Sequence, residues 1–571
     1  MMRKQPQPRF LMVSLSLLSV LILLLSACGP SGTSTTNSNS NSGKAVRGGT
    51  WIDDLYEEPS SLIPNGSSET FADLVDNAIW APLFVGDANG AIQPGLASEV
   101  PTVANGDVSS DLKTWTIKLR PNLKWSDGQP LNADDVDFTW KLWDNPKFGA
   151  AVNAGFNLIQ SATVSADKLS ITFHLSAAFS PFAASWTDGG FAPLPAHIFS
   201  SMAPDAVLKS SQNLKPTVSS GPFTVSESVP GDHYTVVRNP NYYQAAKGLP
   251  YLDSIVFRIV TNQDTILSDI QSGSIDSSWF LDVSKTATYK QVSNYRLVAN
   301  PHTANFEAMY FNLHNPILQD VNVRKAMAMA IDHTALINVA RRGQATPLCT
   351  DHGSAYNPGY QANAPCPPFD VSAANALLQQ DGWIMGSDGV RTKNGQRLEF
   401  QYSTTANNAW RAADENILQQ DFKAIGVKID IQNYPASTFF GTFLPAGKPG
   451  KYDLAEFEND FPYDPDDASE FSCAAVPSAA NNYGGENFAF YCNKQLDSLF
   501  LQEQATDNAS ARQQVFNQIH QIYLTAFPFV TLYGPVDIAM VKNGANGYLP
   551  GPMGASETVG VWNWWCTGGK C

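Results

Sequence analysis

The sequence predicts an α/β protein with at least two lobes. Three observations support this prediction. The chain has 571 residues, and more than 500 of them follow an N-terminal leader and tether, which is too many for one compact core. Several segments alternate apolar and polar residues as half-buried strands do. In the second half, helical patterns alternate with strand patterns, which is typical of an α/β lobe.

The first half contains strand patterns and one well-marked helix. Four segments have strand alternation: residues 114–120 and the stretches around His174, Val236 and Phe257. Val136, Trp140 and Trp143 recur at helical spacing after Asn132, which predicts a helix capped by that asparagine. Asp134 and Asp135 fall in its first turn, where the helix dipole favours anions. We therefore expect these two carboxylates to be structural.

Helices and strands alternate more regularly in the second half. One apolar helical face is predicted from five residues: Val323, Ala326, Met327, Ala330 and Ile331. Asp332 can cap the next helix, and Gly343 can end it. Further helices near Leu378 and from about Arg411 are predicted to end at Gly382 and Gly426. Residues 427–431 then alternate as a strand, and residues 527–534 return to strand character.

The N-terminus has the layout of a secretory signal peptide. Three cations precede an apolar run at residues 10–25, and Leu25, Ser26, Ala27 and Cys28 are similar to a bacterial lipobox. The alternative is a retained signal anchor, but a run of roughly 16 residues is short of the about 20 that a spanning helix needs. We expect residues 1–27 to be removed and a lipid on Cys28 to anchor the protein to the outside of the cell membrane.

The composition after the leader restricts the partners. Residues 28–47 are rich in Ser, Asn and Gly and are predicted to form a flexible tether. The formal net charge is −16, so nucleic acid is not an expected partner. With 43% hydrophobic and 15% charged residues, the rest is typical of a globular protein.

Six of the seven cysteines remain if Cys28 carries lipid, and an even number in an oxidising compartment favours disulfides. Fifteen pairings are formally possible. The local set closes short loops rich in Pro, Gly and Asn, and it is favoured on that ground: Cys349 with Cys366, Cys473 with Cys492, and Cys566 with Cys571. A metal site is disfavoured because the spacings are wide and none of the eight histidines adjoins a cysteine.

Several motifs occur in one order and at compatible separations. They are GGTWIDDLYEEPSSLIPN (48–65), TWTIKLRPNLKWSDGQPLNADDV (114–136), SGPFTVSES (220–228), VVRNPNYY (236–243), YLDSIVFRIV (251–260), SGSID (272–276), FNLHNPILQDVNVRKAMAMAIDHTAL (311–336) and DPDD (464–467). Over nearly all of its mature length the chain resembles the family 5 extracellular solute-binding proteins, the oligopeptide- and dipeptide-binding proteins of ABC importers.

The resemblance implies a type II periplasmic-binding-protein fold of the larger kind that carries an extra subdomain. Two α/β lobes would be joined by crossings near Ala304 and Phe529. The first lobe would contain residues 48–304 and 531–571, with an inserted subdomain at about 76–190, and the second lobe residues 305–530. A solute that contacts both lobes would stabilise a closed state by hinge motion.

The function implied by the resemblance is binding, not catalysis. The protein would capture short peptides as a monomer without a cofactor and deliver them to an ABC permease, whose ATPase subunits supply the energy. Oligosaccharides are an alternative, since 11% aromatic residues suit sugar stacking, and a nickel chelate is another if histidines gather in the cleft. An extracellular hydrolase or a sensor subunit also stays open.

Relatives also suggest the ligand-binding residues. In peptide-binding members an aspartate after a YDLA-type strand pairs with the peptide α-amine, and the stretch YDLAEFENDFPYDP makes Asp460 the candidate here. Asp460 lies about two residues closer to that strand, and residues around Glu458 replace the usual Gly-Trp pair, so a loop-capping role stays open. The full set of candidates is Ser68, Glu69, Thr70, Phe71, Trp410, Phe439, Phe440, Phe457, Glu458 and Asp460.

These candidates would act in two ways. The loop around Ser68 to Phe71 would present an edge that grips an extended peptide through backbone hydrogen bonds, which gives broad specificity. Phe439, Phe440 and Phe443 would form aromatic walls with Trp410 nearby, although aromatic clusters are more often core.

Catalytic and metal motifs are scarce. The sequence has no GxSxG, HExxH, GxGxxG or P-loop motif, although a dispersed Ser/His/Asp site stays open. Asp464, Asp466 and Asp467 lack the spacing of a calcium loop and are expected to form a solvated turn. We expect no metal site.

Overall fold

The computed structural model describes residues 44–67, 69–152, 155–356, 358–435, 438–446, 452–459, 461, 463–481, 483, 485–553 and 556–571. One structural unit runs from Ala45 to Cys571. Cys28, Ser68 and Asp460 lie outside the described residues, as do the leader and most of the tether. Within the described part of the chain, none of the helices has the length and apolar composition that a membrane span requires.

Seven strands of the described residues form the first sheet. In order across the sheet they are Tyr295–Ala299, Ile538–Lys542, Ser277–Ser278, Thr50–Leu55, Ser254–Ile259, His233–Arg238 and Phe223–Val229. The central strand Thr50–Leu55 pairs in parallel with both neighbours. The strands predicted around Val236 and Phe257 are confirmed and belong to this sheet.

Six strands of the described residues form the second sheet. In order they are Ala345–Thr346, Phe529–Pro535, Phe306–Phe311, Leu454–Asn459, Glu399–Ser403 and Lys428–Ile431. Every residue of Phe306–Phe311 and Phe529–Pro535 is buried. Helices pack on both faces, which explains why these strands read as nearly continuous apolar runs. We call the parts built on the two sheets the first lobe and the second lobe.

The backbone passes between the sheets twice. Residues 300–305 lead from the first sheet into strand Phe306–Phe311, and Ala304 lies in this segment. The return lies at residues 536–537 rather than near Phe529, because strand Phe529–Pro535 pairs along its length with second-sheet neighbours. Residues 531–535, expected in the first lobe, therefore belong to the second.

A small sheet and a capped helix occur between the first two strands of the first sheet in chain order. The sheet consists of Thr114–Lys118, Ser170–Leu175 and Ile159–Val164. The helix Ala133–Trp143 begins with a capping box: the Asn132 side chain accepts from the Asp134 N–H at 2.8 Å, and Asp135 accepts from the Asn132 N–H at 3.0 Å. The predicted cap is confirmed, and the Asp135 carboxylate has the structural role expected of it.

The remaining elements connect and cover these sheets. Short strands are Phe84–Gly86 with Ile92–Pro94, Ile384–Met385 with Arg391–Lys393 and Gln396–Arg397, and Ala545–Asn546 with Trp565–Cys566. The other α-helices are Thr70–Ile79, Ala196–Phe199, Pro204–Val207, Gln263–Ser272, Thr286–Tyr289, Val321–Ala330, His333–Ala335, Val371–Gln380, Ala409–Ala424, Leu444–Ala446, Ala468–Phe471, Lys494–Gln504 and Ala509–Ala526. π-helical turns are Leu336–Ala340 and Phe439–Phe443. 3₁₀ turns are Phe156–Leu158, Ser180–Trp186, Gly189–Phe191, Ala245–Lys247, Val283–Lys285, Ala479–Asn481, Ser556–Thr558, Val561–Asn563 and Thr567–Gly569.

Helix ends in the second lobe follow the sequence signals. The helices Val371–Gln380 and Ala409–Ala424 stop just before Gly382 and Gly426, whose φ angles are 89° and 78°. Glycine tolerates this left-handed conformation without steric cost, so both predicted ends are confirmed.

Three disulfides join described cysteines, and their pairing is the local one expected from the sequence. Cys349 bonds Cys366, Cys473 bonds Cys492, and Cys566 bonds Cys571. The first two close loops of the second lobe, and the third closes a short turn in the first lobe.

Gly49 brings the start of the first sheet against this C-terminal turn. Its φ is 92°, and a Cβ atom there would lie 2.7 Å from the Gly569 carbonyl oxygen and 3.5 Å from the Cys566 Sγ. Glycine is therefore required for the close approach of the two segments.

Candidate ligand-binding site

A cavity of about 30 Å³ lies beside the two backbone crossings, with room for about two water molecules. Its lining includes Asn305 from the first crossing, Asp537 from the second, and Trp279 and Glu557 from the first lobe. No lysine, arginine or histidine is among the described residues that line it. Its described lining therefore offers two carboxyl groups and no basic side chain.

Both carboxyl groups are affected by burial. Burial raises the pKa of Asp537, and the guanidinium of Arg341 opposes this shift from 3.4 Å. Burial also raises the pKa of Glu557 well above its usual value, and the charges of Asp53 and Asp537 add to the effect. Within the described structure, Oε1 of Glu557 and Oδ1 of Asn305 are enclosed and have no hydrogen-bond partner. These are acceptors that a hydrogen-bond donor in the cavity could satisfy.

Acidic residues inside two apolar strands extend the negative region behind Asn305. Glu456 and Glu458 are two residues apart, so they project from the same face of the sheet. The antiparallel register places Glu307 directly opposite Glu458. Asn305 donates its Nδ2–H to Oε1 of Glu458, and Oε2 of Glu458 has no partner among the described groups.

Two arginines partly neutralise these acids. Arg411, in the first turn of helix Ala409–Ala424, makes a bidentate pair with Glu307 at 2.8 and 3.1 Å. Arg341 is fully buried, with its guanidinium 5.1 Å from the Trp410 ring centroid and 3.4 Å from Oδ1 of Asp537. Removing charges of this kind from water is costly unless they are paired.

The carboxyl groups nevertheless outnumber the guanidinium groups. We call this set the interlobe charge cluster: Glu307, Arg341, Arg411, Asp414, Glu456, Glu458 and Asp537. It contains five acids and two bases. Burial raises the pKa of Asp414 to about 8, and burial together with Asp414 and Glu307 raises that of Glu456. Burial and the charge of Asp537 raise the pKa of Glu458 well above its usual value.

An excess of buried acid has a chemical consequence. Without another cation nearby, some of these groups hold protons at neutral pH, because desolvation disfavours the charged form. An ammonium group that entered the cavity would favour the ionised carboxylates and displace protons. The arrangement is thus suited to a cationic group of a solute.

The structure brings two predicted aromatic residues into one cluster that spans both lobes. Phe71 of the first lobe lies 5.9 Å from Trp279 and 6.0 Å from Phe280, measured between ring centroids. Phe280 in turn lies 5.3 Å from Trp410 of the second lobe. Phe71 and Trp410 are both buried. This aromatic bridge holds the lobes together next to the cavity.

Residues before Phe71 form a hydrogen-bonded loop. The exposed Glu69 accepts from the Ser60 N–H at 2.9 Å, and its own N–H donates to Ser67 Oγ at 3.0 Å. The half-buried Thr70 begins helix Thr70–Ile79. The part of this loop that the structure describes is stabilised locally.

Two of the other predicted aromatic residues belong to the core. Phe439 is fully buried, and Phe457 is 1% exposed and stacks on Tyr310 with 4.3 Å between ring centroids. Phe457 also points away from Glu458, since neighbouring residues of a strand face opposite sides of a sheet. Phe440, by contrast, is 41% exposed. The core alternative therefore describes the position of Phe439 in this structure, and Phe457 is a core residue as well.

Sequence reasoning missed the acids that line the cavity and most of those in the charge cluster beside it. Asp537 stands between two apolar strands, and Glu307 and Glu456 interrupt the apolar runs FEAMYF and LAEFEN. Charged residues at interior strand positions are rare unless they are paired, so this signal was present in the sequence. Nothing local distinguished Asn305 or Glu557.

Comparison with known proteins agrees with this architecture. The family model of the bacterial extracellular solute-binding proteins, family 5 Middle, matches residues 91–482. The chain belongs to this family. Oligopeptide-binding protein AppA of Bacillus subtilis is 23% identical over 543 residues, which covers 92% of each chain.

Solved structures show the same two-lobed fold. The AppA structure in complex with a nonapeptide has a TM-score of 0.79 at 20% identity and covers 92% of this chain and 100% of its own. NikZ from Campylobacter jejuni in complex with Ni(L-His) has a TM-score of 0.78 at 23% identity, covering 90% and 99%. This family 5 solute-binding protein is therefore a binding protein built on two α/β lobes.

Proposed function

We propose that this solute-binding protein captures short peptides by their α-ammonium group and delivers them to an ABC permease driven by separate ATPase subunits. The observation that carries the proposal is the acidic cavity at the crossings. Asp537 and Glu557 line it, Asn305 offers a free acceptor, and no basic side chain is found among its described lining residues. A primary ammonium group supplies the charge and the donors that such a cavity lacks.

The position of the cavity supports hinge closure as the mechanism. Asn305 and Asp537 are parts of the two crossings, so an occupant contacts the segments about which the lobes rotate. The ring contact between Phe280 and Trp410 adds an attraction between the lobes in the closed form. A solute that binds both sides lowers the free energy of that form relative to the open one.

The cavity accommodates an ammonium head but not a whole peptide. The remainder would extend toward the loop at residues 67–71 and would be bound through its backbone, which leaves side chains largely unread. The exposed Phe440 is a candidate wall for those side chains. Asp460 comes two positions after Glu458 in the sequence. It stays a second candidate partner for the peptide α-ammonium group.

The location of the protein completes the proposal. A lipid on Cys28 would hold a monomer on the outer side of the cell membrane, with residues 28–47 as the tether. Delivery to a permease is inferred from the family, whose members are extracellular solute-binding proteins.

The test is calorimetric titration of the purified mature chain with tri- to pentapeptides and with the same peptides N-acetylated. Removing one partner of a buried charge pair costs about 2–5 kcal/mol, so acetylation should weaken binding at least about thirtyfold. Titration in two buffers of different ionisation enthalpy should show proton release near pH 7, because the ammonium group displaces protons from the acids.

Variants then locate the site. Asp537→Asn, Glu557→Gln and Glu458→Gln should each weaken binding of the free-amine peptide by more than tenfold, while the exposed control Asp507→Asn should not. If Asp460→Ala alone weakens binding, the amine lies at the loop and not in the cavity. The peptide proposal would be overturned if oligosaccharides, or nickel with histidine, raised the melting temperature and peptides did not. Cleavage of the added peptide would indicate a hydrolase.

A further inference from the structure

A second group of polar residues is buried in the second lobe outside the residues that line the cavity. Asp351, His352, Asp467 and His520 are all 0% exposed. They come from three separate segments: the loop closed by the Cys349–Cys366 disulfide, the DPDD turn and helix Ala509–Ala526. The solvated turn expected for Asp467 is therefore wrong, because its side chain is enclosed.

Three ligand atoms converge within this group. The Nε2 atom of His520 lies 3.2 Å from Nδ1 of His352 and 3.1 Å from Oδ1 of Asp351. One ligand atom of each of these three residues lies within 4.8 Å of the others. Donors at 2.0–2.2 Å from a tetrahedral zinc ion are about 3.3 Å apart, so the observed spacing is close to that of a zinc site.

An oxygen atom lies near each of the outward-facing ring nitrogens. Nε2 of His352 lies 2.8 Å from Oδ1 of Asp467, and Nδ1 of His520 lies 3.3 Å from Oε1 of Gln361. Histidines that bind a metal commonly donate their second N–H to a carboxylate or carbonyl, which fixes the tautomer, and Asp467 and Gln361 lie where such acceptors are needed. With those protons placed outward, the two inward nitrogens and the Asp351 carboxylate all present lone pairs to one another.

Unsatisfied atoms and charge point to the same conclusion. Oδ2 of Asp351 has no hydrogen-bond partner in the described part of the chain, and Oδ1 lies 3.1 Å from Nε2 of His520. The positive charge of Arg512, which acts on His352, is held by Glu503 and Asp464. A divalent ion with two neutral imidazoles and the carboxylates of Asp351 and Asp467 gives zero net charge, as a dry site needs.

We propose that Asp351, His352 and His520 bind a divalent first-row transition metal, with Zn²⁺ the expected ion and Asp467 and Gln361 orienting the imidazoles. Two nitrogens and the two oxygens of Asp351 supply up to four donor atoms, a set that suits zinc better than calcium or magnesium. Phe461 and Phe516 pack against the His352 ring at 5.1 and 4.8 Å between centroids and exclude water.

The metal would be structural. The loop that carries Asp351 and His352 also receives the first crossing: Gly353 and Ala355 donate their N–H groups to the carbonyls of Ala304 and Thr303 at 3.3 and 3.1 Å. A metal bond from this loop to helix Ala509–Ala526 would hold the second-lobe side of the hinge in place.

The test begins with the unmodified mature chain, so it does not depend on a variant folding. The protein is stripped with 1,10-phenanthroline, desalted and titrated with ZnCl₂ and with CoCl₂. We expect one ion per chain by elemental mass spectrometry, and an intense visible Co²⁺ spectrum typical of a low-symmetry nitrogen and oxygen site. Addition of peptide should not displace the ion, which separates this site from the solute cavity.

Variants assign the ligands. His520→Gln and Asp351→Asn should lower Zn²⁺ affinity more than a hundredfold, and Asp467→Asn by about 10- to 100-fold, as expected for a group that orients a ligand. The control His333→Gln changes a histidine outside this group and should bind as the unmodified chain does. If the unmodified chain binds less than one ion in ten molecules, or if His520→Gln binds equally well, the proposal is wrong and the three atoms share a proton on Nε2 of His520.

Discussion

Arg411 is the residue whose loss should most clearly expose the energetics of the interlobe charge cluster. Its side chain is 8% exposed and forms a bidentate pair with the fully buried Glu307. Arg411→Met removes the charge, keeps much of the apolar stem and leaves five acids facing Arg341 alone. Breaking a buried pair by removing one partner costs about 3–5 kcal/mol. We expect a loss of this size in the free energy of unfolding at pH 7.

The same reasoning fixes how the loss depends on pH. Arg411 opposes the burial that raises the pKa of Glu456, so Arg411→Met raises this pKa further, and the folded variant must take up a proton at a free-energy cost at pH 7. At pH 5 the cost is about 2.7 kcal/mol smaller, since each pH unit is worth about 1.36 kcal/mol. The destabilisation caused by Arg411→Met should therefore shrink to roughly 1–2 kcal/mol at pH 5.

The assay is urea unfolding followed by tryptophan fluorescence at both pH values. Arg397→Met is the matched control, because Arg397 is 41% exposed and its pairs with Asp388 and Glu399 are screened by water, so a much smaller loss of stability is expected. The double variant Arg411→Met with Glu307→Leu should recover most of the loss. A loss at Arg411 no larger than at Arg397, or one that does not depend on pH, would refute the argument.

Three further outcomes follow from particular groups. Burial raises the pKa of Asp414 from 3.8 to about 8, so the folded protein holds a proton that the unfolded chain releases, and stability falls as pH rises through this range. In urea titrations, the stability of Asp414→Asn relative to the unmodified protein should therefore rise by up to about 1.4 kcal/mol per pH unit between pH 5 and 8. A difference that does not change with pH would contradict this. Replacing both Cys473 and Cys492 by serine opens a loop spanning 19 residues and should lower the free energy of unfolding by about 3 kcal/mol in the same assay. No change would mean that the disulfide does not constrain the unfolded chain. Asn132→Ala removes the helix cap and should lower the free energy of unfolding by about 1 kcal/mol, whereas Asn132→Gly should lower it by a few tenths of a kcal/mol. Equal losses would argue against the cap.

Local signals made the regular elements predictable. The cap at Asn132 and the helix ends at Gly382 and Gly426 depend on residues a few positions apart, and the structure has them where the sequence indicated. The second crossing was misplaced because the apolar run of Phe529–Pro535 continues into Ile538–Lys542 with two residues between them. Which sheet each strand joins is decided by pairing with distant strands, which no local pattern records.

The polar sites were less predictable because their members are far apart in the chain. Glu307, Arg411 and Asp537 are brought together by the second sheet and one helix, and their spacing in sequence carries no motif. The same holds for His352 and His520, which are 168 positions apart. Acidic residues inside apolar strands were visible in the sequence, but the residues that they contact in the folded protein were not.

The contact at Gly49 determines which lobe is immobilised when the protein is attached to a surface or bead near either end of the described chain. The segment that enters at Gly49 and the turn closed by Cys566–Cys571 adjoin each other on the first lobe. A bead, surface or fluorescent label attached near either of these points is therefore attached to the first lobe. The other half stays free to swing, so a single-molecule recording from such an attachment would report its rotation without restraining it.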